Sequence, residues 1–170
     1  MNRSGILVVL YFVIYLLVQV MLFKQLVLFN TAFCFVYVAF ILLLPIETNS
    51  MALMVVAFVL GISVDVFYDS LGLHAMSLVL VAYVRNFWLK LITPQGGYDA
   101  GQGPTLTVNG VQWFVVYSLP LVFIHHGTLF FAEAGGFGIF WYTMLKVMTS
   151  LMFTMTVILF LQYFSIRRRR

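Results

Sequence analysis

Two aspartates and a histidine lie close together in the stretch GISVDVFYDSLGLHA, which is otherwise almost entirely apolar. Gly61, Asp65 and Asp69 are spaced at i, i+4 and i+8, which places them on one face of a helix. A turn containing Gly72 then leads to His74. Carboxylates and a histidine at this spacing can transfer protons, bind a ligand or hold two helices together, and the surrounding medium decides which of these is favoured.

The composition predicts that this medium is a lipid bilayer. Of the 170 residues 64% are hydrophobic and 8% are charged, whereas about 25% of the residues of a soluble domain are charged. Arg167, Arg168, Arg169 and Arg170 contribute much of the net charge of +4. Such a terminal cluster is typical of a cytoplasmic anchor on anionic lipid and does not indicate nucleic-acid binding. The single cysteine, Cys34, cannot form an intrachain disulfide.

Hydropathy predicts one transmembrane domain over residues 1–170, with about six helices in one bundle. The predicted spans are 5–23, 26–46, 51–68, 72–92, 111–132 and 138–163, and a polar loop rich in glycine covers 93–110. The first span is too long for a signal peptide and lacks a small-residue cleavage pattern. The second is the weakest, because Asn30 and Thr31 interrupt it, and its length is also typical of a short or re-entrant element.

The distribution of basic residues favours a topology with both termini in the cytoplasm. In this topology most titratable groups within the predicted spans lie in the outer half of the bilayer. Lys146 is predicted to face the bundle and to pair with Asp65, because an unpaired charge inside a membrane is costly. His125, His126 and Glu133 form a possible outer pocket.

The favoured interpretation of these groups is a structural polar network, ahead of partner binding and of transport or catalysis. A metal site formed by His74, His125, His126 and a carboxylate lacks a characteristic ligand spacing. The sequence also has no recognisable nucleophile motif, phosphate-binding loop or H-E-x-x-H pattern. We therefore expect neither an enzyme nor a bound cofactor.

Two segments resemble a known family. FILLLPIET at 40–48 and LGISVDVFYDSLGLHAMSLVLVAYVR at 60–85 are similar to the rod shape-determining protein MreD family. The shared pattern is G-x-x-x-D, here Gly61 to Asp65, followed by G-L-H-A, here Gly72 to Ala75. The resemblance extends to the six-span pattern and to the loop that begins at Pro94.

The resemblance implies a non-enzymatic protein of the bacterial inner membrane that takes part in cell elongation. Members of the family bind the bitopic protein MreC, through which they are connected to the MreB filament. They are also connected to the RodA glycosyltransferase and its class B penicillin-binding transpeptidase. The implied fold is a helical bundle similar to the substrate-binding subunits of energy-coupling-factor vitamin transporters.

That similarity in fold supplies the main alternative function, a vitamin-binding transporter subunit. In such a subunit Asp65, His74, His125 and Glu133 would line an outward-facing pocket. The large side chains that follow Gly5 throughout the first span argue against it, because these subunits resemble one another in small-residue spacing on that helix. A proton-coupled carrier that uses Asp65 is less well supported, because no inverted pair of broken helices is evident.

Overall fold

The structure is a computed structural model that describes residues 3–98 and 101–167, and it is mostly helical. Six α-helices, one π-helical turn and two short strands make up its regular elements. They are α1 (Arg3–Val18), the π-helical turn (Gln19–Phe23), β1 (Val27–Leu28), β2 (Ala32–Phe33), α2 (Val38–Leu43), α3 (Ser50–Tyr68), α4 (Leu73–Leu91), α5 (Leu106–Glu133) and α6 (Phe140–Arg167).

Four helical segments of the described residues are long and apolar enough to cross a membrane. They are Gly5–Phe23, Ser50–Tyr68, Leu106–Glu133 and Phe140–Phe164. The prediction of an all-α membrane protein is confirmed at this level. Helix α4 is not among the four, and it contains the polar residues Arg85, Asn86 and Lys90.

The predicted second span, 26–46, does not form a continuous helix. It begins as a hairpin in which Val27 pairs with Phe33, continues as an extended segment, and ends as the six-residue helix α2. The prediction of a continuous helical span is therefore wrong: the segment still passes through the bundle, but as irregular backbone that ends in a short helix, as in the short-element alternative. At the hairpin turn Phe29 and Asn30 both have positive φ angles, which an α-helix does not contain, so a helix cannot continue through this part of the segment.

The extended part of this segment lies inside the bundle, where its backbone groups need partners. Gln19 supplies one through its Nε2, which donates to the carbonyl of Cys34 at 3.0 Å. The backbone N–H of Phe33 donates to Ser150 Oγ at 2.9 Å, and that of Phe35 donates to Thr154 Oγ1 at 3.1 Å. Polar side chains of α6 and of the π-helical turn thus replace the hydrogen bonds that a helix would have made.

The contacts define two ends of the bundle. The hairpin end carries the β-hairpin, the turn between α3 and α4, and the turn between α5 and α6. The loop end carries the turn at 44–49 and the connection at 92–105. Gln19 bonds Tyr68 at the end of α3, so α1 runs parallel to α3 towards the hairpin end. Ser150, in the first half of α6, contacts the hairpin, so α6 runs from the hairpin end to the loop end.

The polar loop predicted at 93–110 is shorter in the structure, because α5 begins at Leu106. Gly110 has a φ of 81° and a ψ of 166°, which breaks this helix after its first turn. The continuous part of α5 therefore begins close to residue 111, where the fifth span was predicted. Within the bundle, α2 and the segment before it form the centre of the core, because Val36 to Leu42 are at most 3% exposed.

Candidate functional site

Asp65 links the end of α3 to the start of α4. Its Oδ1 accepts hydrogen bonds from the backbone N–H of His74 at 3.0 Å and from Ser70 Oγ at 2.6 Å, and its Oδ2 accepts from the N–H of Ala75 at 3.0 Å. The N-cap residue of α4, Gly72, has no side chain that could bond the first amides of the helix. Asp65 therefore caps α4 from the neighbouring helix, and its negative charge lies at the positive end of the helix dipole.

Gly61 lies one turn before Asp65, where α3 and α4 come into direct backbone contact. A Cβ atom at Gly61 would lie 2.3 Å from Ala75 Cα and 2.7 Å from Ala75 N. Only glycine permits this approach, which brings the amides of α4 within reach of Asp65. The pattern G-x-x-x-D with G-L-H-A is thus explained as one structural unit, with Gly72 at a φ of 91° in the turn.

We expect Asp65→Leu to lower the free energy of unfolding by about 3 kcal/mol, because it leaves two backbone N–H groups and a hydroxyl without an acceptor. Asp65→Asn should cost about 1 kcal/mol, since its single carbonyl oxygen still accepts. Thermal unfolding in detergent measures both changes. Asp69→Asn is the matched control, because Asp69 is exposed and has a left-handed backbone that asparagine tolerates. Equal losses in the two Asp65 variants would contradict the capping role.

The predicted pair between Lys146 and Asp65 is wrong. Lys146 Nζ instead forms an ion pair with Glu133 Oε2 at 3.0 Å, and it lies 5.1 Å and 4.7 Å from the ring centroids of Phe33 and Phe130. The short turn between α5 and α6 brings Glu133 and Lys146 side by side. Asp65 lies on α3 and directs both of its oxygens at the start of α4, which explains why it does not take Lys146 as its partner.

Three histidines and a tyrosine form a buried group below the hairpin end, here called the histidine cluster: Tyr37, His74, His125 and His126. The Tyr37 hydroxyl lies 2.8 Å from His74 Nδ1 and 2.7 Å from His125 Nε2. His126 bonds the carbonyl of Val122 through Nδ1 at 2.8 Å and Thr154 Oγ1 through Nε2 at 3.0 Å. The adjacent histidines of α5 thus face different partners, as their positions on a helix require.

The hydrogen-bond pattern assigns the donors in this cluster. A hydroxyl has one hydrogen, so Tyr37 donates to one histidine ring and accepts from the other. His125 Nδ1 is buried and has no hydrogen-bond partner among the described residues. A hydrogen on that atom would be an unpaired buried donor, so His125 donates through Nε2 to Tyr37, and Tyr37 donates to His74 Nδ1. This assignment places the ring hydrogen of His74 on Nε2 and, within the described part of the chain, leaves His125 Nδ1 as an unpaired acceptor.

Phe35 occupies the space between these rings. Its ring centroid lies 5.3 Å from those of His74 and His126 and 5.8 Å from that of His125. The outer pocket predicted from His125, His126 and Glu133 is therefore not an open pocket: both histidines are fully buried, and Glu133 is exposed and paired with Lys146. The cause is the extended segment before α2, which inserts Phe35 and Tyr37 where a ligand would lie.

A second buried polar group, here called the arginine cluster, lies towards the loop end around Arg85. The guanidinium is fully buried, and its Nε donates to Tyr117 Oη at 2.8 Å. Its Nη2 donates to the carbonyls of Leu42, Leu44 and Pro45, at the C-terminal end of α2. A cation at this position pairs the carbonyls that the helix end leaves free and complements the helix dipole.

Sequence reasoning missed the residues that hold α2 and its preceding segment in place. Arg85 was only one of the basic residues whose distribution favoured the topology, and Gln19, Tyr37, Ser150 and Thr154 were not predicted as site residues. The available signal was their polarity, because polar side chains inside apolar spans usually face the bundle interior and pair there. Their common partner, the backbone of the segment at 26–46, could not be predicted from the sequence. That segment was predicted as a helical span, whose backbone groups would bond to one another.

The predicted arginine anchor lies almost wholly outside the described residues. Arg167 is the last residue of α6, and Arg168, Arg169 and Arg170 lie outside the described residues. Their predicted role as a cytoplasmic anchor stays a prediction. In the described part of the chain, no group of three or more histidine, cysteine, aspartate or glutamate residues is placed to hold a metal ion.

Comparisons with known proteins add no relative to this picture. No family model, curated protein or solved structure matches the chain.

Proposed function

We propose that this protein is a non-enzymatic membrane scaffold of the bacterial cell-elongation complex, of the MreD type. Its role is to bind MreC and to connect the MreB filament with RodA and its partner transpeptidase in peptidoglycan synthesis. It lies in the inner membrane, crosses it six times and has both termini in the cytoplasm. These partners are proposed because residues 40–48 and 60–85 resemble that family, whose members bind MreC and are connected to the others.

The observation that supports a scaffold is the filled interior. Phe35 and Tyr37 occupy the space beside the buried histidines, and most polar groups of the two clusters bond to one another or to neighbouring parts of the chain. A vitamin-binding subunit would need this space for its ligand. A protein whose interior is occupied by its own chain acts through its outer surface.

A groove on the lipid-facing side between α3 and α4 is the place we propose for the transmembrane helix of MreC. Its volume is about 520 Å³, and its walls are almost entirely apolar. Gly72 and Ala75 form a floor of small residues at which a second helix can approach closely. The walls are formed by Met54, Phe58, Ile62, Met76, Val79 and Tyr83. Methionines at such a surface adapt to the shape of a partner.

Site-specific photo-crosslinking in the native membrane tests this assignment. A photoreactive amino acid at Leu80, which lines the groove, should form a crosslink with MreC. The same amino acid at Leu145, an exposed residue of α6, serves as the control. A crosslink from Leu145 alone would exclude the groove, and failure of every lipid-facing position to capture MreC would contradict the proposed function.

A further inference from the structure

A polar groove at the loop end is separate from both buried clusters and from the apolar groove. It has a volume of about 380 Å³ and lies between the turn that precedes α3 and the last two turns of α4. The polar side chains that line it are Glu47, Thr48, Asn49, Ser50, Asn86, Lys90, Thr93 and Tyr98. Because the candidate membrane span Ser50–Tyr68 begins here, the groove lies at the end of a span, at the level where a membrane meets water.

A buried positive charge lies directly behind this groove. The guanidinium of Arg85 bonds Asn86 Oδ1 at 3.1 Å and the carbonyl of Pro45 at 3.5 Å, and both of these residues adjoin the groove lining. Its hydrogen-bond partners are all neutral, since they are hydroxyl, amide and carbonyl oxygens. In the described residues the only ion pair joins Lys146 and Glu133. Among the described residues no carboxylate therefore pairs with Arg85, and the carbonyl dipoles offset its charge only in part, so part of its field extends into the groove.

The groove itself adds a second positive charge and free donors. Lys90 is exposed, and within the described ranges its ammonium group has no hydrogen bond or ion pair. Ser50 Oγ accepts from Asn86 Nδ2 at 2.9 Å, which leaves the serine hydrogen free to donate into the groove. Glu47 is the one acid in the lining. Arg85 and Lys90 against Glu47 give a formal charge of +2 − 1 = +1.

Tyr98 closes the groove on the side of the connecting loop. Its hydroxyl donates to the carbonyl of Leu89 at 2.8 Å, and burial raises the pKa of Tyr98 above its ordinary value of 10.0. The hydroxyl therefore stays protonated at neutral pH and adds no negative charge to the lining. The hydrogen bond from Tyr98 holds the connecting loop against the end of α4, and the loop thereby forms one fixed side of the groove.

We propose that this groove binds the phosphate group of an anionic phospholipid headgroup. Lys90 and the Ser50 hydroxyl contact the phosphate, and Arg85 attracts it from behind. The location at the membrane boundary favours a lipid over a soluble anion, because headgroup phosphates are concentrated at that level. The inference is independent of the proposed scaffold function, since it uses only the groove, its charges and the membrane setting.

The test measures the thermal unfolding of detergent-purified protein with added short-chain lipids. Dihexanoyl phosphatidylglycerol should stabilise the protein more than dihexanoyl phosphatidylcholine. Lys90→Gln should weaken the apparent affinity for phosphatidylglycerol about fivefold, because one basic residue near an anionic headgroup contributes about that factor. Glu47→Gln should strengthen it. Lys24→Gln, which removes the same charge at the hairpin end, should leave the difference between the lipids unchanged.

Inorganic phosphate is the probe that distinguishes the source of the anion. If it alone reproduces the Lys90-dependent stabilisation, the phosphate site is supported and its occupant is a free anion. Equal stabilisation by the two lipids overturns the proposal. So does an effect of phosphatidylglycerol that Lys90→Gln and Lys24→Gln reduce to the same extent, because that result indicates a general surface charge and not a site.

Discussion

Gly61→Ala is expected to lower the free energy of unfolding by about 3 kcal/mol, a large effect for the addition of one methyl group. The added Cβ would lie 2.3 Å from Ala75 Cα, 2.7 Å from Ala75 N and 3.0 Å from the carbonyl carbon of His74. All three are backbone atoms of α4, so a rotamer change cannot relieve the overlap. The two helices must separate, and the separation also moves the amides of His74 and Ala75 away from Asp65.

Gly127→Ala is the matched control for this prediction. Gly127 lies within α5, and a Cβ atom there would meet no atom within 4 Å. Replacement of glycine by alanine in a helix is then expected to be neutral or to stabilise by up to about 1 kcal/mol. Thermal unfolding of both variants in detergent gives the comparison. Similar stabilities for the two variants would show that α3 and α4 do not depend on direct backbone contact.

Arg85→Leu is expected to cost about 3 kcal/mol of stability. The loss has a specific cause, because the buried carbonyls of Leu42 and Leu44 and the partly buried carbonyl of Pro45 would lose the donor that Arg85 supplies. Tyr117 keeps its hydrogen bond to the carbonyl of Leu42 at 2.8 Å, so part of the cluster survives. The leucine variant no longer pays the free energy of burying a charge, which offsets part of the lost stability. The cost of the unpaired carbonyls at the end of α2 is larger, so the net effect is destabilising.

Arg85→Lys separates charge from geometry. A lysine keeps the positive charge, but its single nitrogen cannot reach Tyr117 and the carbonyl groups through separate atoms as the guanidinium does. We expect it to recover roughly half of the lost stability. Lys90→Leu, in the same helix, is the control for removal of a basic residue from an exposed position and should change stability by less than about 0.5 kcal/mol. Full recovery with lysine would mean that charge alone matters at this position.

The sequence predicted the helices with continuous apolar runs well, because twenty or so apolar residues have few other stable states in a bilayer. It also predicted that Gly61, Asp65 and His74 belong to a structural network near the end of the third span. It did not predict that Asp65 bonds backbone amides. Backbone amides at the start of a helix cannot be identified from residue types. Lys146 can be identified as a cation, and the sequence therefore predicted it as the partner of Asp65.

The segment at 26–46 shows why the rest could not be read. Its apolar composition is equally compatible with a membrane-spanning helix and with a buried irregular segment, because both require apolar side chains. The difference lies in Gln19, Ser150 and Thr154, which are distant in sequence and pair with its backbone only after folding. The insertion of Phe35 among three histidines follows from that path, so the filled interior was not predictable from local pattern.

We propose above all that the protein acts as a scaffold whose interior is occupied by its own side chains. The most direct test is purification of the tagged protein from its native membrane in mild detergent. Mass spectrometry then identifies both the proteins and the small molecules that co-purify. If the protein is a scaffold, we expect recovery of MreC together with cell-wall synthases, and no stoichiometric vitamin. Recovery of a bound vitamin with ATPase subunits would contradict it, because such a ligand would require Phe35 and Tyr37 to leave the positions they occupy.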